Sequence, residues 1–371
     1  MTFMKKIMDL FNMDNWKEHK SGVTLSNYVS YLPNTKNVIS LQKIRYYWNA
    51  HPQNYQRNFR ESSIREYEIY GKTLLLWLFE KASPLKTNFP VYFERECHIS
   101  NPSKMQSQLL QDAYIVPAPL LDILSSYKMQ DLKIIADSIG CVKKGKKEEL
   151  IERIYQNIDE NMTRTLISGS NLFILSNKGR TFLNDNYDYV ELHRHWNYNL
   201  SLYDFNRNRF CGNRKRSFED NAYTLIRQRI FSNCSHCYYH MMEYDYYSLY
   251  SIALSGHKID IALDCYLRYL YLISCCIRTA QYYATGFYHS DYNPQDEIIF
   301  TSRNAACIAE LSYFYDRSYV ENIYEDKSLP PSFLTKDEMA NMIDNIIANA
   351  AFDYTKYNEL IISRLQKYSR A

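Results

Sequence analysis

The residues of this chain best equipped for chemistry are four lysines around one glycine: Lys143, Lys144, Gly145, Lys146 and Lys147. Clustered ammonium groups suit a polyanion, and the glycine lets a backbone come close. The residues that follow, Glu148-Glu149-Leu150-Ile151-Glu152-Arg153-Ile154, read as a helix with acids in its first turn. The start of such a helix offers backbone amides to a phosphate. Arg153 lies about two turns further on and is expected to reach the same phosphates. A second basic run holds Arg207, Arg209, Arg214, Lys215 and Arg216, with no acid between positions 205 and 218. Gly212-Asn213 marks it as a loop. It either extends a phosphate-binding path or is a solvated charged loop.

Cys234-Ser235-His236-Cys237 with His240 has half the spacing of a zinc site. No second Cys-x-x-Cys or His pair follows at the usual distance. No metal is therefore assigned, and Cys234, Cys237 and His240 stand as incomplete candidates. Asp188 to His195 alternates like a strand, which would set His193 and His195 on one face for a metal, a phosphate or ordinary hydrogen bonding. Gly71-Lys72-Thr73 lacks the upstream glycine of a phosphate loop, because position 66 is Glu and the preceding stretch is helical. Hydrolase, metalloprotease and glycine-rich cofactor motifs are absent. The expectation is a non-enzyme with no cofactor.

Elements that would position these residues follow from spacing. Ile39–Trp48 and Ser63–Lys81 read as helices, the second ending before Ser83-Pro84. Val91–Phe93 reads as extended. Asn101-Pro102 opens a helix with Met105, Leu109 and Leu110 on its apolar stripe, and Tyr114-Ile115-Val116 exits as a strand stopped by Pro117. Helix then strand is similar to the scaffold of a winged-helix unit. Leu121 to Ile158 carries two helical patterns around the lysines, Met129, Leu132, Ile135 and Ala136 before them, and Leu150, Ile151 and Ile154 after. Leu172–Leu175 reads as a strand, Ser176–Gly179 as a turn and Arg180–Asn184 as a helix start. From Ser217 onward the pattern is helical. Gly256-His257-Lys258 breaks two long helices that should pair antiparallel. Thr335 before Lys-Asp-Glu is a good helix N-cap.

The order helix, glycine-ended break, Gly145-Lys146-Lys147, then Glu148-Glu149-Leu150-Ile151 resembles the SAP domain, a helix-extended-helix module of DNA- and chromatin-associated proteins. The resemblance covers about a tenth of the chain. It implies that Gly145 turns the extended segment into the second helix and that the lysines meet duplex DNA. Asn101-Pro102, Leu175-Ser176-Asn177-Lys178-Gly179 and Ile261-Ala262-Leu263 add a wider resemblance to a group of bacterial SAP-domain proteins of Firmicutes, with Ser-Asn-Lys-Gly-Arg where that group has Thr-x-x-Gly-Lys. The contacts implied fix position on the sugar-phosphate backbone and are salt-sensitive, with a narrow A·T-rich minor groove as one preference.

Composition bounds the rest. The 371 residues suit two or three domains rather than one, and 9 Gly and 10 Pro exclude collagen-like and low-complexity classes. With 44 basic and 41 acidic residues the net charge is only +3, so electrostatic binding must be local. The 36 tyrosines either stack on bases or reflect an AT-rich coding bias and fill cores. Nine cysteines, odd in number, with no secretory signal before them, suggest reduced thiols in a cytoplasmic protein. No apolar run approaches the ~18 residues of a membrane span. Phe3, Met4, Ile7, Met8 and Phe11 suit a docked terminal helix.

The expected fold class is mainly α: a multi-domain helical protein with small α/β additions and a central SAP-like module. The expected segments are 1–116, α-rich with a winged-helix-like end; 117–160, the SAP-like module; 161–216, a small α/β adaptor; and 217–371, a helical domain. DNA is the expected partner, without strong sequence choice and with no membrane. The C-terminal helices offer a protein-binding or homo-oligomer surface. The alternative is an interaction scaffold whose helical hairpin holds a peptide and whose SAP-like unit is structural.

Overall fold

Capping residues and buried apolar stripes make the protein mainly α-helical, with short strands added. The computed structural model describes residues 41–50, 62–236, 238–285, 299–348 and 352–370. The chain packs as two units, Met1–Asn58 with Glu219–Ala371, and Phe59–Phe218. The expected segments 117–160 and 161–216 both lie within the second unit, together with residues 59–116. Helix α1 (Leu41–Ala50) is the earliest described element. The amphipathic face from Phe3 to Phe11 lies outside the described residues.

In the unit Phe59–Phe218, α2 (Ile64–Trp77) begins at a capping box. Ser63 Oγ accepts from the Glu66 amide at 3.3 Å, and the Glu66 carboxylate accepts from the Ser63 amide at 2.6 Å. Leu74, Leu75 and Leu76 bury its C-terminal half. A methyl group on Gly71 would come within 1.9 Å of Ile99 Cδ1, so Gly71 serves close packing inside a helix. After β1 (Ser83–Pro84), the segment expected to be extended opens a short helix, α3 (Tyr92–Arg95), because Phe93 turns into the core. Asn101 caps α4 (Pro102–Gln111), accepting from the Lys104 amide at 2.9 Å.

Next come β2 (Ile115–Pro117), α5 (Leu120–Ser126), α6 (Met129–Ser138), α7 (Lys147–Asn157), α8 (Glu160–Gly169) and β3 (Leu172–Leu175). The expected turn at 176–179 is instead the start of α9 (Asn177–Asp185): Ser176 Oγ accepts from the Gly179 amide at 3.1 Å. Only glycine fits at 179, since a Cβ would lie 2.2 Å from the Tyr114 carbonyl oxygen. The unit continues through α10 (Tyr187–Arg194), a 3-10 turn at Trp196–Tyr198 and α11 (Leu202–Asn208). It ends in a two-stranded ribbon, β4 (Phe210–Cys211) and β5 (Arg214–Lys215).

The three-stranded antiparallel sheet has the order β1-β3-β2, with Ile115 opposite Leu175, Val116 opposite Ile174 and Pro117 opposite Phe173. The Ala118 amide extends the ladder to the Leu172 carbonyl at 2.9 Å. The lysine-bearing helices therefore hang from two neighbouring strands. They carry their own core of Leu120, Leu124, Leu132, Ala136, Leu150, Ile151 and Ile154.

In the other unit, α12 (Phe218–Ser235) leads into the hairpin of α13 (Tyr239–Ser255) and α14 (Ile259–Ser274), which pack along their lengths as expected. The left-handed residue of the break is His257, at φ 55°, and not Gly256. The Lys258 amide closes on the Ala253 carbonyl at 2.8 Å. Four tyrosines, Tyr247, Tyr250, Tyr266 and Tyr269, interlock here at centroid distances of 4.7 to 5.7 Å. This is the core-filling use of the ring. The unit closes with α15 (Ile277–Thr285), α16 (Ser302–Leu311), α17 (Arg317–Glu325), α18 (Lys336–Ala348) and α19 (Thr355–Arg370). Thr335 and Glu338 form the capping box of α18, and Arg364 of α19 binds the same carboxylate at 2.6 and 2.8 Å.

Candidate nucleic-acid interface

Two glycines build the elbow between α6 and α7. Gly140, at φ 69°, ends α6 in a left-handed cap. Its amide bonds the Asp137 carbonyl at 3.1 Å, and the Cys141 amide bonds the Ala136 carbonyl at 2.7 Å. Gly145, at φ 118°, turns the extended segment into α7. There the Glu149 carboxylate accepts from the Lys146 amide at 3.1 Å. Val142, Lys143, Lys144, Gly145 and Lys146 are exposed, and Lys147 is half-buried.

The four lysines differ in what they already hold. Lys143 Nζ pairs with Asp137 Oδ1 at 2.5 Å, an exposed contact that a polyanion can displace. Lys147 Nζ donates to the Ser125 carbonyl at 2.8 Å and so ties α7 to the end of α5. Lys144 and Lys146 form no ion pair among the described residues. Arg153 was expected to reach a phosphate. Its guanidinium is instead turned back on the protein: Nη1 donates to the Val142 carbonyl at 2.6 Å, Nη2 to the Lys144 carbonyl, and Nε to the Glu149 carbonyl at 3.1 Å. It positions the elbow by holding the Val142 and Lys144 carbonyls.

The second basic run divides in the same way. Arg209 is 8% exposed, with both Nε and Nη2 on the Asp188 carboxylate, at 2.6 and 2.7 Å. Nη1 meets Tyr189 Oη at 3.0 Å, and Nη2 also reaches the Asp185 carbonyl and Asn186 Oδ1. It is an internal anchor and is withdrawn from any external phosphate. Lys215 joins it on Asp188 at 2.8 Å. Arg216 is half-buried, and its amide bonds the Arg209 carbonyl at 2.9 Å. Arg207 and Arg214 are exposed, with Arg207 held against Tyr203 Oη at 3.1 Å.

The stretch expected to be a strand at 188–195 is the helix α10. Asp188, Tyr189, Val190 and Leu192 are buried, and the first-turn acid and last-turn His193 and Arg194 suit a helix dipole. Positions two apart on a helix face different ways, so His193 and His195 separate. His193 Nδ1 lies 3.0 Å from Glu96 Oε2, beside Tyr92 at 4.3 Å, while His195 stacks on Tyr198 and Phe218. Glu96 also accepts from Tyr70 Oη. Burial, with the adjacent Glu96 carboxylate, pushes the Tyr70 phenol far above its ordinary range. Glu96 and His193 stand 97 positions apart in sequence, so their pairing left no local signal.

Among the described residues no three His, Cys, Asp or Glu side chains gather to hold a metal. Cys234 Sγ donates to the Ser328 carbonyl at 3.2 Å. Burial, then the nearby Arg278 charge, lowers the His240 pKa. Cys237 lies outside the described residues. No described helix is long and apolar enough to cross a membrane. No family model, curated protein or solved structure matches the chain.

Proposed function

We propose that this protein binds duplex DNA through the SAP-like elbow, gripping the sugar-phosphate backbone without strong sequence choice. The observation that carries the reading is the exposure of Lys143, Lys144 and Lys146 on a segment that Arg153 fixes through the Val142 and Lys144 carbonyls. Lysine ammonium groups on phosphates give affinity through counterion release and carry no base information. The glycine at φ 118° keeps side-chain bulk off the elbow at its bend. Mounting on two paired strands holds the elbow in place, which lowers the ordering cost of binding.

A mobility-shift assay at low salt tests the proposal. Wild-type protein is expected to retain a duplex of mixed sequence, and the variant with Lys143, Lys144, Lys146 and Lys147 all changed to Ala to lose most of that retention. Unchanged retention by a variant with the wild-type circular dichroism spectrum would remove the elbow from the function and leave the scaffold reading.

A further inference from the structure

The ribbon β4–β5 is built more firmly than a solvated loop requires. Its base is clamped by the buried Arg209, whose guanidinium is saturated by Asp188, Tyr189, Asn186 and the Asp185 carbonyl, and by Lys215 on the same Asp188. Beyond that clamp everything faces water. Phe210 is 52% exposed, and Cys211, Gly212, Asn213 and Arg214 are exposed. Gly212, at φ 60°, makes the tight reversal. The Phe210 ring has the Arg209 guanidinium 5.8 Å from its centroid. Arg207 precedes the ribbon, exposed and braced on Tyr203.

A second exposed ring belongs to the same unit. Two residues past Arg216, Phe218 stacks on His195 at 5.3 Å, and the next residue after His195 is Trp196, 77% exposed. These rings do not form a contiguous apolar patch of the kind that meets another protein. They stand singly, and Phe210 lies between Arg209 and Arg214 in a run without acids. Isolated exposed aromatic faces with cations to follow a backbone are what single-stranded nucleic acid uses, because every unpaired base has a face to stack. A base-paired duplex keeps its faces covered.

We infer that the ribbon and Trp196 form a second binding site, for single-stranded nucleic acid, with Phe210 and Trp196 as stacking platforms and Arg207 and Arg214 on the phosphates. The inference extends the nucleic-acid reading of the elbow but rests on different residues, so each can fail alone. Fluorescence anisotropy of labelled oligothymidylate and of a labelled hairpin duplex separates them. Phe210→Ala and Trp196→Ala should each weaken oligothymidylate binding by about 5- to 100-fold and leave the duplex within twofold. The four-lysine elbow variant should do the reverse. Oligothymidylate should quench tryptophan emission of the wild type, and the quenching should vanish in Trp196→Phe. Failure of the wild type to bind oligothymidylate overturns the inference, as does wild-type affinity in either alanine variant or loss of single-strand binding in the elbow variant. Both substitutions fall at exposed positions, and unchanged thermal unfolding confirms that the fold persists.

Discussion

At the scale of single residues, the same side-chain type divides into exposed cations and internal anchors, and only the fold separates them. Sequence placed Gly145 at the bend, and its φ of 118° agrees. Gly145→Ala should destabilise the protein by more than about 1 kcal/mol in urea unfolding, because an L-residue resists that backbone even where the Glu149 side chain can yield. Arg153 and Arg209 looked equivalent to the lysines because charge and spacing are all a sequence records. Their partners are backbone carbonyls and an acid contributed by other elements, Val142, Lys144 and Asp188, and nothing local announces that arrangement. Asp188→Asn would leave Arg209 and Lys215 without their counter-charge in a buried site. The expected cost is about 3–5 kcal/mol, read as a lowered urea midpoint. A neutral outcome would mean that Asp188 does not clamp the ribbon.

At the scale of elements, helices with capping residues and apolar stripes were legible, and so were the strands at Ile115–Pro117 and Leu172–Leu175, but not how they pair. Asn101-Pro102, Thr335 and the pattern of Leu132, Ala136, Leu150 and Ile154 gave helices where helices stand. The errors came from short segments. Alternation over 188–195 imitated a strand, but α2 packs against that segment and buries a helical face. Ser176–Gly179 has turn composition, yet Ser176 uses it to cap α9. Pairing of β2 with β3 across more than fifty residues is a tertiary event that neither strand encodes alone.

The junction of α18 and α19 carries a pH dependence. Burial alone would raise the Glu338 pKa, but Arg364 and the Thr335 cap outweigh it and hold the carboxyl below its ordinary 4.5. A lowered folded value means that the stabilisation is full above about pH 4.5 and fades as pH falls through the lower folded value. Thermal unfolding from pH 6 to pH 3 should fall less steeply in Glu338→Gln than in the wild type. Parallel curves would exclude the contact.

At the scale of the whole molecule, a net charge of +3 gives no general attraction to nucleic acid, so the duplex binding proposed for the elbow would have to be local. The most direct measurement is the salt dependence of duplex binding for the wild type, Lys147→Ala and the Lys144→Ala/Lys146→Ala double variant. Each lost phosphate contact flattens the log–log slope by about 1. Duplex binding at the elbow predicts a slope shallower by about 2 in the double variant and unchanged in Lys147→Ala, whose ammonium is held by Ser125. A double variant with the wild-type slope would contradict it.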